Sequence, residues 1–168
     1  MAGSKYAGRI KRSGKVVYKY KMTMEIIIEQ LKSVSESQVY EINELLKQLN
    51  PDSRIIDINA IKEMIEVPEN RLFVAREKVT NKIVGMLTLI IIKTLFSKKG
   101  MFEDIVVDKD YRGKGIAAKL ISSGIDQARK EELKRIDLTS SPARVAANDL
   151  YPRLGFVKRD TNVYRMEL

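Results

Sequence analysis

The stretch Ile105-Val-Val-Asp-Lys-Asp-Tyr111-Arg112-Gly113-Lys114-Gly115-Ile116-Ala117 decides the fold. It begins as a β-branched run, turns polar around two glycines, and opens a helix whose Ile116, Leu120, Ile121, Ile125 and Ala128 fall on one stripe. The glycines let the backbone come close to a ligand and adopt positive φ, while the first N–H groups of the helix lack intrahelical acceptors and point outward. The helix dipole and the charges of Arg112 and Lys114 add attraction. The turn is therefore predicted to bind an anion, a pyrophosphate held mainly by main chain with side-chain support. A glycine-rich connection that only caps the helix is the competing reading. A mononucleotide P-loop needs Gly-x-x-x-x-Gly-Lys-Ser/Thr, and a dinucleotide fingerprint needs a third Gly and a strand near the chain start; neither fits.

Upstream of this junction, Glu25–Gln30 reads as a strand through Ile26, Ile27 and Ile28. Ser35 with Gln38 forms a capping-box pattern ahead of Val39, Ile42, Leu46 and Leu49, and a helix is expected until Pro51. A second helix is expected over Asp57–Val67, then strands at Arg71–Val79 and Lys82–Phe96 around a turn at Thr80 and Asn81, and a strand at Gly100–Asp108. Downstream come a strand at Arg135–Thr139, a helix over Arg144–Leu154 and two closing strands around Phe156 and Val163. This order predicts an α/β (α+β) fold in which helices flank a mixed, mostly antiparallel sheet.

The 168 residues suit one domain, and 44% hydrophobic with 32% charged residues is too apolar for general disorder. With no Cys and no His, disulfides, thiol nucleophiles, hydrolase triads and histidine-bound zinc are excluded, and no metal is expected. Proton chemistry must run through Asp, Glu, Tyr, Lys or water. The apolar run Ile83–Phe96 is broken by Gly85, two Thr and Lys93, and is shorter than the ~20 residues of a membrane helix, so no membrane role and a cytoplasmic address are expected. Of the +9 net charge, residues 1–23 carry +7 from seven Lys and Arg without an acid, which leaves +2 for the rest. Residues 1–23 are read as a basic arm, a disordered leader or an appended extension, and the domain as 24–168; a nucleic-acid role for the arm ranks last.

A second motif lies some thirty residues on, Arg144-Val-Ala-Ala147-Asn148-Asp149-Leu150-Tyr151-Pro-Arg-Leu-Gly155-Phe156, with Ala147, Leu150 and Tyr151 at i, i+3 and i+4 and Gly155 suited to a left-handed C-cap. Pro152 stands where it removes a donor and can kink or end that helix. Taken with Arg112, Gly115 and Ala117 in the pattern Arg/Gln-x-x-Gly-x-Gly/Ala, it resembles the two signatures of the GNAT superfamily of N-acetyltransferases. The resemblance is strong over Met101–Phe156 and rests on element order before that. It implies acetyl-CoA as co-substrate, with Arg112, Gly113, Lys114, Gly115, Ile116 and Ala117 around the pyrophosphate. It further implies that the backbone of Ile105, Val106 and Val107 lies along pantetheine, that Asn148 contacts the cofactor, and that Tyr151 protonates the departing thiolate.

The run Phe102-Glu103-Asp104-Ile105 is similar to the acidic strand lining the acceptor site of glucosamine-phosphate N-acetyltransferases, and the similarity to that enzyme stops there. Strand periodicity sends Glu103 and Asp104 to opposite faces, so at most one is expected to aim at a given amine. Glu103 is the preferred base, directly or through water, with Asp104 in reserve. The implied reaction is direct acetyl transfer in a ternary complex to a primary amine, of a small molecule, a lysine or an N-terminus. A non-catalytic acetyl-CoA-binding regulator remains as the alternative, and a homodimer is allowed.

Overall fold

The computed structural model describes residues 24–168 and, for the backbone alone, two antiparallel strands before them, β1 (Lys5–Arg12) and β2 (Lys15–Lys21). The side chains of the expected basic arm lie outside the described residues.

Five strands form the central sheet: β3 (Ile26–Gln30), β4 (Asn70–Glu77), β5 (Ile83–Lys93), β6 (Lys98–Val107) and β7 (Ile136–Leu138), side by side in that order. All neighbours run antiparallel except β7, which runs parallel to β6. The apolar stretch at Ile83–Ile91 is a strand covered on both faces, which is why it reads as a continuous run instead of alternating. On one face α1 (Glu36–Leu49) and α2 (Ile58–Glu66) cover Leu72, Val74, Ile83, Met86 and Val106. On the other, α3 (Ile116–Lys130) and α4 (Val145–Arg153) cover Phe73, Ala75, Leu87, Leu89, Phe102 and Val107.

Local chemistry sets the helix ends. Ser35 N–H donates to Gln38 Oε1 at 2.9 Å, which is the return half of the capping box. Asp57 caps α2 by accepting from Asn59 and Ala60 N–H at 2.8 and 2.9 Å. Pro152 sits inside α4 without ending it at Tyr151: the helix runs to Arg153, and Gly155 at φ +90° closes it while its N–H donates to Pro152 O.

Two expectations are corrected. The closing strands around Phe156 and Val163 are absent: no strand forms after Leu138 among the described residues, and Val157, Val163, Tyr164, Met166 and Leu168 stand exposed. Phe156 is held by rings, 6.0 Å from Tyr151 and 6.1 Å from Phe102 between centroids, and not by a ladder. Alternating apolar residues thus give the period of a strand without a partner edge to pair with. The second correction concerns Glu103 and Asp104. Asp104 has φ +53°, and the β5–β6 register jumps there, with Met86 opposite Val106 but Thr88 opposite Glu103. This β-bulge inserts one residue, so Glu103 shares the face of its cross-strand partner Thr88, and Asp104 turns to that same face, where Thr88 Oγ1 donates to Asp104 Oδ2 at 3.2 Å. Both carboxylates face α1 and α2.

Candidate active site

At the C-terminal end of β6 the chain makes a single helical turn, Lys109–Tyr111, then the glycine loop, then α3. Asp108 anchors the start of that turn. Its N–H donates to Val84 O at 2.9 Å, Oδ1 accepts from Asp110 N–H at 3.1 Å, and Oδ2 accepts from Lys82 Nζ at 2.9 Å. Burial pushes the Asp108 carboxyl up, but the Lys82 bond, the Asp110 amide and the charges of Lys82 and Lys109 outweigh it and hold the carboxyl below its ordinary value. Tyr111 is fixed by its hydroxyl, which donates to Glu77 Oε2 at 3.0 Å.

Gly113 and Gly115 have φ +72° and +74°, the left-handed conformation that favours glycine, and no atom lies within 4 Å of where a Cβ would stand on either. The first helical N–H with a backbone acceptor is that of Lys119, bonded to Gly115 O at 3.2 Å. Between Gly113 and Ala118 no main-chain N–H finds a partner among the described residues. Open space beside a row of free donors at a helix N-terminus suits a pyrophosphate.

The loop forms one end of a cleft of about 860 Å³. One wall is Ile105, Val106 and Val107 with the loop residues Arg112, Gly113 and Gly115 and, on α3, Ile116 and Ala117; the facing wall is α4 with Ala147, Leu150 and Tyr151. The cleft exists because β7 stays beside β6 only from Gly100 to Phe102, opposite Ile136 to Leu138. Past that point the β7-facing amides and carbonyls of Glu103 to Val106 have no strand partner, and Val107 O takes only Arg112 Nε, which leaves this edge for an extended ligand. Two hydrogen bonds span the cleft's rim, Arg144 to Leu49 O at 3.1 Å and Lys109 N–H to Gln48 Oε1 at 2.8 Å.

Of the residues singled out in the sequence, Ile105, Val106, Val107, Arg112, Gly113, Gly115, Ile116, Ala117 and Tyr151 meet in this cleft. Arg112 does so with its Nε donating to Val107 O at 3.0 Å, so its guanidinium also ties the loop to the strand. Lys114 does not line it. Its ammonium sits 4.8 Å from the Tyr111 ring centroid and bonds Asp110 O at 2.9 Å. Asn148 also turns away, donating to Ser141 O at 2.9 Å. Glu103 and Asp104 lie on the α1/α2 side, Asp104 at the floor of a second, smaller pocket.

Tyr151 is 9% exposed. Burial raises its phenol above the ordinary value, against the lowering influence of Arg144 and the Ser140 hydroxyl. Ser140 Oγ is buried near enough to the phenol to influence it but not in hydrogen-bonding geometry, so it is left without a partner, a feature no sequence pattern marked. Burial first, and then the neighbouring Asp104 charge, raise Glu103 above an ordinary carboxyl. Thr88 also escaped the sequence reading, since a Thr inside an apolar strand carries no sign of the carboxylate it will meet. Among the described residues no cluster of acidic or sulfur- and nitrogen-ligating side chains of metal-site size occurs, and no helix is long and apolar enough to cross a membrane.

This geometry can be set beside known proteins. An acetyltransferase from Trypanosoma brucei is 26% identical, with 86% of this chain and 100% of that one covered at a TM-score of 0.72. AAC(6')-Iy in complex with the bisubstrate analogue CoA-S-monomethyl-acetylneamine shares the fold at 18% identity, covering 86% of this chain and 99% of that one, TM-score 0.70. N-alpha-acetyltransferase 30 of Saccharomyces cerevisiae is 35% identical over 60 residues, which is 36% of this chain and 34% of that protein, so the chain spans about a third of that relative's length. Residues 37–156, which hold both motifs and both walls of the cleft, match the family described as "Acetyltransferase (GNAT) family". A strand that parts from its neighbour, an open glycine turn and a tyrosine-bearing helix are thus found where the family match runs, and the chain belongs to the GNAT acetyltransferase family.

Proposed function

We propose that the chain is an acyltransferase that moves the acetyl group of acetyl-CoA to a primary amine by direct attack in a ternary complex. The observation that carries this reading is the row of unpartnered main-chain N–H groups from Gly113 to Ala118, opening into a cleft that ends at a buried phenol. Acetyl-CoA, the co-substrate of this family, fits that arrangement: free donors for its diphosphate, an unpaired strand edge for its amide-bearing arm, and an apolar wall of Ile105, Val106 and Val107. It supplies an activated thioester. The chain has no Cys to carry an acetyl group, which favours direct transfer over a two-step route.

An amine of pKa about 10.4 is charged at neutral pH, and reaching its nucleophilic form costs roughly 4.6 kcal/mol. Glu103, raised by burial and by Asp104, is a stronger base than an exposed carboxylate and takes that proton, directly or through a water. The nitrogen bonds to the thioester carbonyl carbon, the carbon–sulfur bond breaks, and the Tyr151 hydroxyl gives its proton to the departing sulfur; the second proton shed by the nitrogen as the amide forms passes through water to the Tyr151 phenolate, and Glu103 returns its own to solvent. Burial keeps that phenol protonated at neutral pH. Acid and base stand on opposite faces of β6, so the thioester meets the amine in the gap where β7 leaves.

Calorimetry with acetyl-CoA, followed by mass spectrometry of products from an amine library, tests the reading. Micromolar binding and acetylated amine are expected. No binding at millimolar acetyl-CoA overturns the cofactor half, and binding with no turnover over the library points instead to a non-catalytic acetyl-CoA-binding regulator.

A further inference from the structure

The second pocket lies on the α1/α2 side of the sheet, encloses about 120 Å³, and has Asp104 in its lining. Apart from Asp104 and Thr88 its lining is aliphatic or thioether, with Ile42 and Leu46 from α1, Ile61 and Met64 from α2, and Leu72 and Met86 from the sheet. Such a lining offers no set of polar partners for a sugar or a zwitterion, whose hydroxyls or second charge would be buried unsatisfied. Beside it stand two neighbouring carboxylates. The bulge turns Glu103 and Asp104 to the same face, and neither forms an ion pair with a Lys or Arg among the described residues. Asp104 Oδ2 takes the Thr88 hydroxyl, and Glu103 is raised by burial and by Asp104. In a chain of net charge +9 with eleven residue pairs in ion contact among its described residues, two adjacent half-buried acids without a cation among those residues are complementary to a cation brought by a ligand.

The two pockets share no lining residue, but they draw on consecutive residues of the same elements: Leu46 lines the small one and Gln48 and Leu49 the cleft, and Asp104 lines the small one and Ile105 the cleft. An ammonium held at Glu103 and Asp104 is therefore on the opposite face of β6 and one residue along the chain from the wall proposed to carry the thioester.

From this we infer that the acceptor is a primary amine bearing a compact apolar substituent, whose ammonium meets Glu103 and Asp104 while its side chain fills the pocket between α1, α2 and the sheet. The inference rests on the acetyltransferase reading and narrows its substrate class. The volume admits a chain of about four to six non-hydrogen atoms. A free alkylamine and a peptide whose first residue is Leu or Met present the same chemistry here.

The test measures release of the CoA thiol with a disulfide reagent, which the cysteine-free chain leaves silent. Substrates are n-alkylamines from ethyl to octyl, lysine-free peptides beginning with Gly, Asp, Leu or Met, a peptide whose only free amine is a lysine side chain, and sisomicin. Each methylene buried is expected to raise kcat/KM about fourfold until the pocket is full, near butyl to hexyl, with no gain at octyl. Leu- and Met-peptides should exceed Gly- and Asp-peptides by at least tenfold if peptides are the source; a steep alkylamine series beside flat peptides assigns free amines. Ala60, an exposed α2 residue lining the pocket, is replaced by Leu to occupy its space. Ala60→Leu should move the break one to two carbons shorter and lower kcat/KM for hexylamine about tenfold, with acetyl-CoA affinity by calorimetry as in the unsubstituted chain. A flat series, preference for sisomicin or the lysine peptide, or an Ala60→Leu profile identical to the original overturns the pocket assignment while the acetyltransferase reading stands. Absence of thiol release with every amine overturns that reading itself.

Discussion

At Tyr151 the proposed acid role and the packing role can be separated, because its ring is held by Phe156 and its hydroxyl has Ser140 and Arg144 as polar influences. Tyr151→Phe keeps the ring and removes the proton: kcat is expected to fall about 10- to 100-fold while acetyl-CoA affinity stays within about twofold. An unchanged kcat in steady-state assays dismisses the acid. With Glu103 as the proposed base, its raised pKa should set the acid limb of the pH–rate profile above that of an ordinary carboxyl, since activity is lost as the base becomes protonated. Asp104→Asn removes the negative neighbour, so Glu103 should become more acidic and the limb should move to lower pH; a limb that stays put excludes Glu103 as the titrating group. That Tyr151 and the glycine turn meet in one cleft was legible because residue type, spacing and the family resemblance all pointed to it. The shared face of Glu103 and Asp104 was not, because a strict two-residue period assumes a regular strand. An Asp in the left-handed region is one of the few non-glycine residues that a bulge accepts, but nothing adjacent in the sequence announces it.

Elements here are positioned by close approaches, and the tightest is where α3 lies on β6. A Cβ on Gly124 would stand 2.7 Å from Phe102 Cζ and 3.2 Å from Leu87 Cδ2. Phe102 is fully packed beneath the Phe156 ring that touches Tyr151, so it has little room to give way. Gly124→Ala gains up to about 1 kcal/mol of helix propensity but overpacks the core by about 1–3 kcal/mol. A net loss near 1 kcal/mol in urea unfolding is expected, together with a lower kcat as the Phe102–Phe156–Tyr151 stack shifts; a stabilised variant with full activity contradicts this packing. In the phosphate turn the limit is conformational. A Cβ at Gly115 meets no atom, yet Gly115→Glu strains a φ of +74° and puts a negative charge among the free donors proposed to hold the diphosphate. Acetyl-CoA affinity should fall more than 100-fold, and near-normal binding would remove the turn from the site. Helices and inner strands were legible from periodicity and caps. The two closing strands were not formed, since pairing depends on an available edge and β7 offers only three residues.

Across the whole molecule, the cleft depends on residues up to Arg153 and the core on residues up to Phe156. Beyond them Val157, Val163, Tyr164, Met166 and Leu168 are each at least 76% exposed, so deleting residues 159–168 removes almost no buried apolar area. For a chain of this size about 1 kcal/mol corresponds to 2–4 °C in Tm, so the shortened chain should melt within about 2 °C of the full one and bind acetyl-CoA equally. Any association of the full chain with itself through these residues should decrease, because exposed apolar side chains seek cover. Thermal melting with sedimentation velocity on the two lengths checks this: unchanged Tm with less association places the tail outside the core, whereas a drop in Tm of more than about 5 °C contradicts that placement.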